Sequence, residues 1–212
     1  MELKNKTVLC LGDSITYANG YLKALQSLTG AKEVVNYGVA GTTIAKRKKL
    51  LGNEYDEDFL MRLEKMRPDG DFIIVFGGTN DYGHGDAPIG TEFDDTLDTF
   101  CGNVRILINK IKEKYKGVPI LFITPTHRIN EDDPHGEFGL KPTAMGTLRQ
   151  YVDGLIKVVK SEKVNLLDLY NDPDFSFDNE LFRSYVKVDG LHPNDDGHKA
   201  IARKIYEYVK NM

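Results

Sequence analysis

Tryptophan is absent from this 212-residue sequence, cysteine occurs twice, and apolar runs are no longer than a single strand. Each scarcity excludes something. A membrane-spanning helix needs about 20 consecutive apolar residues, and runs such as FIIVF at 72–76 fall far short of that. The N-terminal MELKNK leads straight into a short apolar run, without the apolar region and small-residue cleavage site of a secretory signal. A cytoplasmic location is therefore the expectation. Cys10 and Cys101 stand far apart without metal-ligand spacing, so they indicate neither a disulfide framework nor a thiolate metal site. Cys10 lies inside TVLCLG and reads as a core thiol. A basic surplus is missing as well. The 28 Lys and Arg are outnumbered by 32 Asp and Glu, for a net charge of −4, which argues against a nucleic-acid partner. The one basic run, KRKK at 46–49, has no interleaved aromatic residues and reads as solvated surface. With no internal repeat, low-complexity tract or linker, residues 1–212 read as one domain. Nothing in the sequence specifies an oligomeric state.

What is present is an alternation of strand and helix. Residues 7–11, 33–37, 72–76, 118–123 and 164–169 are short, β-rich and mostly continuous in apolar character, as strands covered on both faces are. Helical spacing fills the gaps over 20–28, 56–66, 92–115 and 143–160, and again in the last segment through Ile201, Ile205, Tyr208 and Val209. Asp195 and Asp196 fall in the first turn of that last helix, where the helix dipole favours them. Such alternation predicts an α/β fold with a doubly wound parallel sheet, whose ligands bind beyond the carboxyl ends of the strands.

The polar punctuation falls at those ends. Gly12-Asp13-Ser14 follows the first strand, Gly38 to Thr43 the second, Gly77 to Asp81 the third and Thr124 to Arg128 the fourth. DGLHPN at 189–194 comes after the fifth strand and about 20 irregular residues. Taken singly these are turn and cap residues. Together they supply what an acyl-transfer serine needs. Ser14 provides the hydroxyl. His192 provides an imidazole, a side chain mostly neutral and basic at pH 7. Asp189, three residues before it, can accept the ring Nδ1–H and fix the tautomer. The Ser14 and Gly41 N–H groups and the Asn80 amide are candidate donors to an oxyanion.

These stretches resemble a known family. LGDSIT at 11–16, the glycine of VAGTT at 39–43, GTND at 78–81 and DGLHPN at 189–194 are similar, in order, to the four blocks of the SGNH (GDSL-type) hydrolases. The resemblance spans nearly the whole chain. It implies a flavodoxin-like three-layer α/β/α sandwich with five parallel strands in the order 2-1-3-4-5. It also implies a catalytic triad of Ser14, Asp189 and His192 and an oxyanion hole of Ser14, Gly41 and Asn80. Gly38 rivals Gly41 in the second block; Gly41 follows Val39-Ala40 as the family pattern has it. The setting Gly-Asp-Ser-Ile-Thr differs from the G-x-S-x-G elbow of the α/β-hydrolases. Asp13 and Asp81 read as holding loop geometry. His84, His127, His135 and His198 match no block.

The expectation is thus a serine ester hydrolase, requiring no metal and no cofactor, acting on a small-molecule ester through an acyl-Ser14 intermediate. Short acyl groups are favoured, such as acetyl on a carbohydrate or small alcohol, because no amphipathic lid is visible and the loop 129–142 is polar and acidic. A lysophospholipase or thioesterase is the neighbouring alternative. Two readings of other classes use the same residues. One is a metal-dependent phosphoesterase with Asp13, Asn80, Asp81, His127 and His192 as ligands. The other is a non-catalytic carbohydrate-binding module on the same fold.

Overall fold

The computed structural model describes residues 1–212. In chain order its elements are β1 (Thr7–Gly12), α1 (Ser14–Tyr17), α2 (Gly20–Thr29), β2 (Glu33–Gly38), α3 (Phe59–Lys65), β3 (Phe72–Phe76), α4 (Thr79–His84), α5 (Phe100–Lys114), β4 (Ile120–Ile123), α6 (Leu148–Ser161), β5 (Asn165–Leu167), α7 (Glu180–Tyr185) and α8 (Asp195–Lys210). All five strands are parallel, in the order 2-1-3-4-5. This is the three-layer α/β/α architecture expected from the sequence.

Strand alternation divides the core between the two faces of the sheet. Leu9, Leu11, Ile73, Val75 and Phe122 point to the layer of α3, α5 and α6, where they meet Leu63, Val104, Leu107, Val152 and Leu155. Val8, Cys10, Phe72, Ile74 and Leu121 point the other way, onto Tyr21, Leu25, Ile201 and Ile205 of α2 and α8. Cys10 is fully buried and its thiol is pushed well up by burial, in keeping with a core role. Registration brings the strand ends level. Gly12 pairs with Gly38 on one side and Phe76 on the other, and Phe76 pairs with Ile123. The segments after β1, β2, β3 and β4 therefore emerge along one edge of the sheet.

Several boundaries differ from the sequence expectation, each for a local reason. The spacing over 92–115 predicts a helix of that span, yet α5 starts at Phe100 because Thr99 caps it, its hydroxyl accepting the Gly102 N–H at 3.1 Å. Ahead of the cap, Asp94 gathers Thr91 and Thr99 into a turn, and Phe93 is 82% exposed. α6 starts at Leu148 rather than 143, behind a capping box between Thr147 and Gln150. The stretch expected to be irregular after β5 contains α7, capped by Asn179, whose Phe182 packs on Phe175 and Phe177. The basic run 46–49 is not wholly solvated: Arg47 is 6% exposed. No helix is long and apolar enough to cross a membrane.

His198 of α8 carries a testable consequence. Its ring is buried and stacked on Tyr21, its Nδ1 has no partner, and burial pushes its pKa down to about 4. The unfolded chain takes up a proton at this histidine near pH 6.5, whereas the folded chain does so only near 4. Its contribution to stability is complete above the unfolded value and is lost as pH falls from there toward 4. His198→Phe keeps a ring against Tyr21 and removes that loss. Urea unfolding should find that, between pH 7 and about pH 5, the variant loses about 2 kcal/mol less than the wild type. Equal losses would contradict a neutral buried His198.

Candidate active site

Ser14 begins α1 directly after β1. Asp13 caps that helix, with its Oδ1 accepting the Ile15 N–H at 3.0 Å. The first N–H groups of a helix have no intrahelical acceptor, so the Ser14 N–H is free to face the crevice. The Ser14 hydroxyl lies 2.8 Å from His192 Nε2. His192 Nδ1 lies 2.9 Å from Asp189 Oδ2. The fold thus joins in one line three groups from opposite ends of the chain.

The loop holding Asp189 and His192 is strongly determined. Asp189 Oδ1 accepts the N–H groups of Leu191 and His192, both at 2.9 Å, which folds the loop back on itself. Gly190 between them has φ +69°, a left-handed conformation suited to glycine, and an added Cβ would stand 2.5 Å from the Ile129 side chain. The Ile129 N–H in turn donates to the Gly190 carbonyl at 2.9 Å, pinning the loop to the segment after β4. On the far side, Asn194 caps α8 and its N–H donates to the Tyr185 carbonyl. Partial burial pushes the Asp189 carboxyl up. N–H donation from Leu191 and His192, together with the adjacent imidazole, outweighs this and holds it below the usual carboxylate range.

The second and third strand ends meet beside Ser14. The Val39 N–H donates to the Gly12 carbonyl at 3.1 Å. Gly41 follows with φ +74°, and its N–H has no acceptor within the protein. The Gly38 N–H, by contrast, donates to Asn36 Oδ1 at 2.8 Å and is unavailable to a ligand. That difference separates two glycines that are rivals in the sequence. Asn80 sits in the first turn of α4, 5% exposed, with one amide hydrogen donated to the Thr42 carbonyl at 2.9 Å. This contact orients the side chain and leaves the second amide hydrogen uncommitted.

Buried charges brace the floor. Asp81 accepts the N–H groups of Ile44 at 2.9 Å and Ala45 at 2.8 Å, one on each carboxylate oxygen. Burial pushes its carboxyl up to about 6 against those donors, and burial likewise pushes Asp13 to about 6 against the Ile15 N–H and the Arg62 guanidinium. Arg62 donates through Nη1 to the carbonyls of Gly12 at 2.7 Å and Tyr37 at 2.8 Å, tying the ends of β1 and β2 together. Arg128 reaches the Thr79 carbonyl and hydroxyl and pairs with Glu137. These structural roles of Arg62 and Arg128 leave no mark in the sequence, because nothing local distinguishes a buried arginine from a solvated one.

His127, His84 and His135 lie outside the Ser14–His192–Asp189 line. His127 stacks on Tyr170 and bonds Glu131 at 2.6 Å, and His135 lies beside Asp133. His84 contacts Arg47. Of the five residues weighed as metal ligands, Asp81 and His192 have both of their polar side-chain atoms engaged within the protein, and Asp13, Asn80 and His127 each have one. Asp13 caps α1, Asn80 holds Thr42, Asp81 holds Ile44 and Ala45, His127 meets Glu131, and His192 meets Ser14 and Asp189. No three His, Cys, Asp or Glu side chains are arranged to share an ion.

Comparison with known proteins gives a consistent family picture. The model of the GDSL-like lipase/acylhydrolase family matches residues 10–200. Among solved structures, a protein from Lactobacillus plantarum is 30% identical, with a TM-score of 0.82 and 99% of each chain covered. A lipase/acylhydrolase from Enterococcus faecalis superposes at 20% identity and a TM-score of 0.63, covering 97% of this chain and 96% of that one. An acetyl xylan esterase, AlAXEase, does so at 21% identity and a TM-score of 0.62, covering 96% and 99%. At those two identities the likeness speaks for the fold alone. A search of the curated proteins found no match.

Proposed function

The chain belongs to the GDSL-like lipase/acylhydrolase family, and we propose that within it the protein is a serine carboxylic ester hydrolase working through an acyl-Ser14 intermediate. One observation carries the reading: the unbroken contact line from Asp189 through His192 to the Ser14 hydroxyl. In this mechanism the Ser14 oxygen attacks the ester carbonyl while His192 Nε2 takes its proton. Asp189 accepts the Nδ1–H and balances the imidazolium. The oxyanion of the tetrahedral intermediate accepts from the Ser14 N–H, the Gly41 N–H and the free amide hydrogen of Asn80. His192 then protonates the departing alcohol. A water molecule repeats the sequence and releases the acid.

The surface next to the His192 loop suits a polar substrate. Beside the His192 loop, a groove of about 600 Å³ is lined by Arg128, Asn130, Glu131, Asp132, Asp133, Phe138 and Phe177. Three carboxylates, an amide and a guanidinium with two aromatic rings suit a hydroxyl-rich alcohol such as a sugar better than a lipid tail. The reading is therefore a short-acyl esterase, with acetyl esters of carbohydrates or small alcohols as its substrates.

The purified protein should hydrolyse p-nitrophenyl acetate and take up a fluorophosphonate probe at Ser14, as mapped by peptide mass spectrometry. Asn80→Ala should lower kcat by about 10² to 10³. Failure of the wild type to label or to turn over any ester would defeat the reading and favour a non-catalytic module.

A further inference from the structure

Residues 46–57 form a strap from the Gly41 turn toward α3, with no regular structure beyond one turn at Glu54–Asp56. The strap is nevertheless tied down at several points. Arg47, buried, donates Nη1 to the His84 carbonyl at 3.0 Å and Nε to the Tyr55 carbonyl at 3.3 Å, and its Nη2 meets His84 Nδ1. Lys48 and Lys49 donate their backbone N–H groups to Asp86, at 2.9 and 2.8 Å. Asp56 closes the far end by accepting the N–H groups of Leu51 and Gly52.

These ties determine where Tyr55 stands. Its ring lies against Gly41: a Cβ added there would be 2.5 Å from Tyr55 Cε1 and 2.7 Å from Cδ1. The ring also faces His84, centroids 6.1 Å apart and planes within 25°. His84 ends α4, the helix that carries Asn80. Tyr55 thus spans the two segments that bear Gly41 and Asn80. It remains 38% exposed, and its hydroxyl bonds nothing in the protein, so the ring is held by packing and by its backbone.

We propose that Tyr55 is a specificity-determining residue, a wall that limits the acyl group to a few carbons. The inference rests on the reading of Ser14 as an acyl-accepting nucleophile. A tetrahedral carbon bonded to the Ser14 oxygen has three other substituents. The oxyanion points at the Ser14, Gly41 and Asn80 donors, and the leaving oxygen must lie within reach of His192 Nε2. The acyl chain takes the third direction, and in this proposal the Tyr55 ring, packed on Gly41 beside the oxyanion donors, stands in its path. An acetyl methyl fits against such a ring. A long chain has to displace it, and with it the strap that Arg47 and Asp56 fasten.

The test compares kcat/KM for p-nitrophenyl acetate and p-nitrophenyl octanoate in the full chain, as wild type, Tyr55→Ala and Tyr55→Phe, with fluorophosphonate labelling alongside. The octanoate-to-acetate ratio should rise at least about tenfold in Tyr55→Ala, since one methylene of pocket space is worth about that much. It should keep the wild-type value in Tyr55→Phe, which retains the ring. Should the alanine variant fail to fold, Tyr55→Leu covers Gly41 with a shorter side chain and should raise the ratio in the same direction. An unchanged ratio in a truncation variant that still labels would overturn the wall. A wild type that neither labels nor cleaves either ester would remove the hydrolase reading beneath it, and the wall with it.

Discussion

Ser14→Ala should lower kcat for p-nitrophenyl acetate by about 10⁶-fold, leaving only what the oxyanion donors and binding supply, about 10³ to 10⁴ over water. The magnitude follows from how the site is built. The Ser14 hydroxyl is in contact with His192 Nε2, and no second hydroxyl bonds that nitrogen. The fold should not suffer, because α1 is capped by the Asp13 side chain and its backbone, neither of which uses the Ser14 hydroxyl. Steady-state kinetics with circular dichroism on the same sample checks both halves of the claim. A double variant, Ser14→Ala with His192→Ala, should be hardly slower than either single one, since the two act as a unit. Wild-type turnover in Ser14→Ala would end the assignment.

Asp189→Asn should be the next most damaging change, approaching but not reaching the loss of about 10⁴ seen where the orienting carboxylate is buried. The reason lies in which atoms face which. Asp189 Oδ1 accepts two backbone N–H groups while Oδ2 faces His192 Nδ1. An asparagine must keep its carbonyl toward the backbone donors, which turns its NH₂ toward Nδ1. That nitrogen then has to accept rather than donate, so the proton moves to Nε2 and the imidazole can no longer take one from Ser14. Solvent moderates the effect, because the Asp189 side chain is 46% exposed and water can serve either tautomer. The loss should fall on kcat with little change in KM, and the loop should keep its shape. A loss below about tenfold would mean that Asp189 holds only the loop, through its backbone contacts.

Much of the fold can be read from residue order alone. Parallel strands covered on both faces are near-continuous apolar runs, and FIIVF and TVLCL are unmistakable in that respect. Helix starts are harder. Phe93 and Leu97 continue the periodicity of α5 by coincidence, and only the cap chemistry of Thr99 and the Asp94 turn stops the helix short of them. α7 is invisible along the chain because its six residues offer a single buried side chain, Phe182. Arg47 illustrates the converse error. A run of four basic residues reads as solvated, yet one of them points inward to three acceptors supplied by Tyr55 and His84, the latter far away in sequence.

The candidate site, and with it the proposed acyl transfer, is legible in the sequence because most of its residues fall in short blocks at the strand ends. Gly-Asp-Ser, the second-block glycines and Asn80 stand where the chain has left an apolar run, and strand periodicity locates those exits, whereas Asp-Gly-Leu-His comes later, beyond α7. Sequence also determined the local pairing of Asp189 with His192, which three residues and an intervening glycine make possible. What only the tertiary structure decided is which groups meet across the sheet. The difference between the Gly38 and Gly41 N–H groups is that Asn36 accepts the first and nothing in the protein accepts the second. The seating of Tyr55 on Gly41 depends on a buried arginine reaching to the end of α4. The first is a side-chain contact two residues away and the second a long-range packing fact, and both appear only once the chain is folded. The level register of Gly12, Gly38 and Phe76 brings the distant segments to one edge, and no periodicity along the chain encodes either contact.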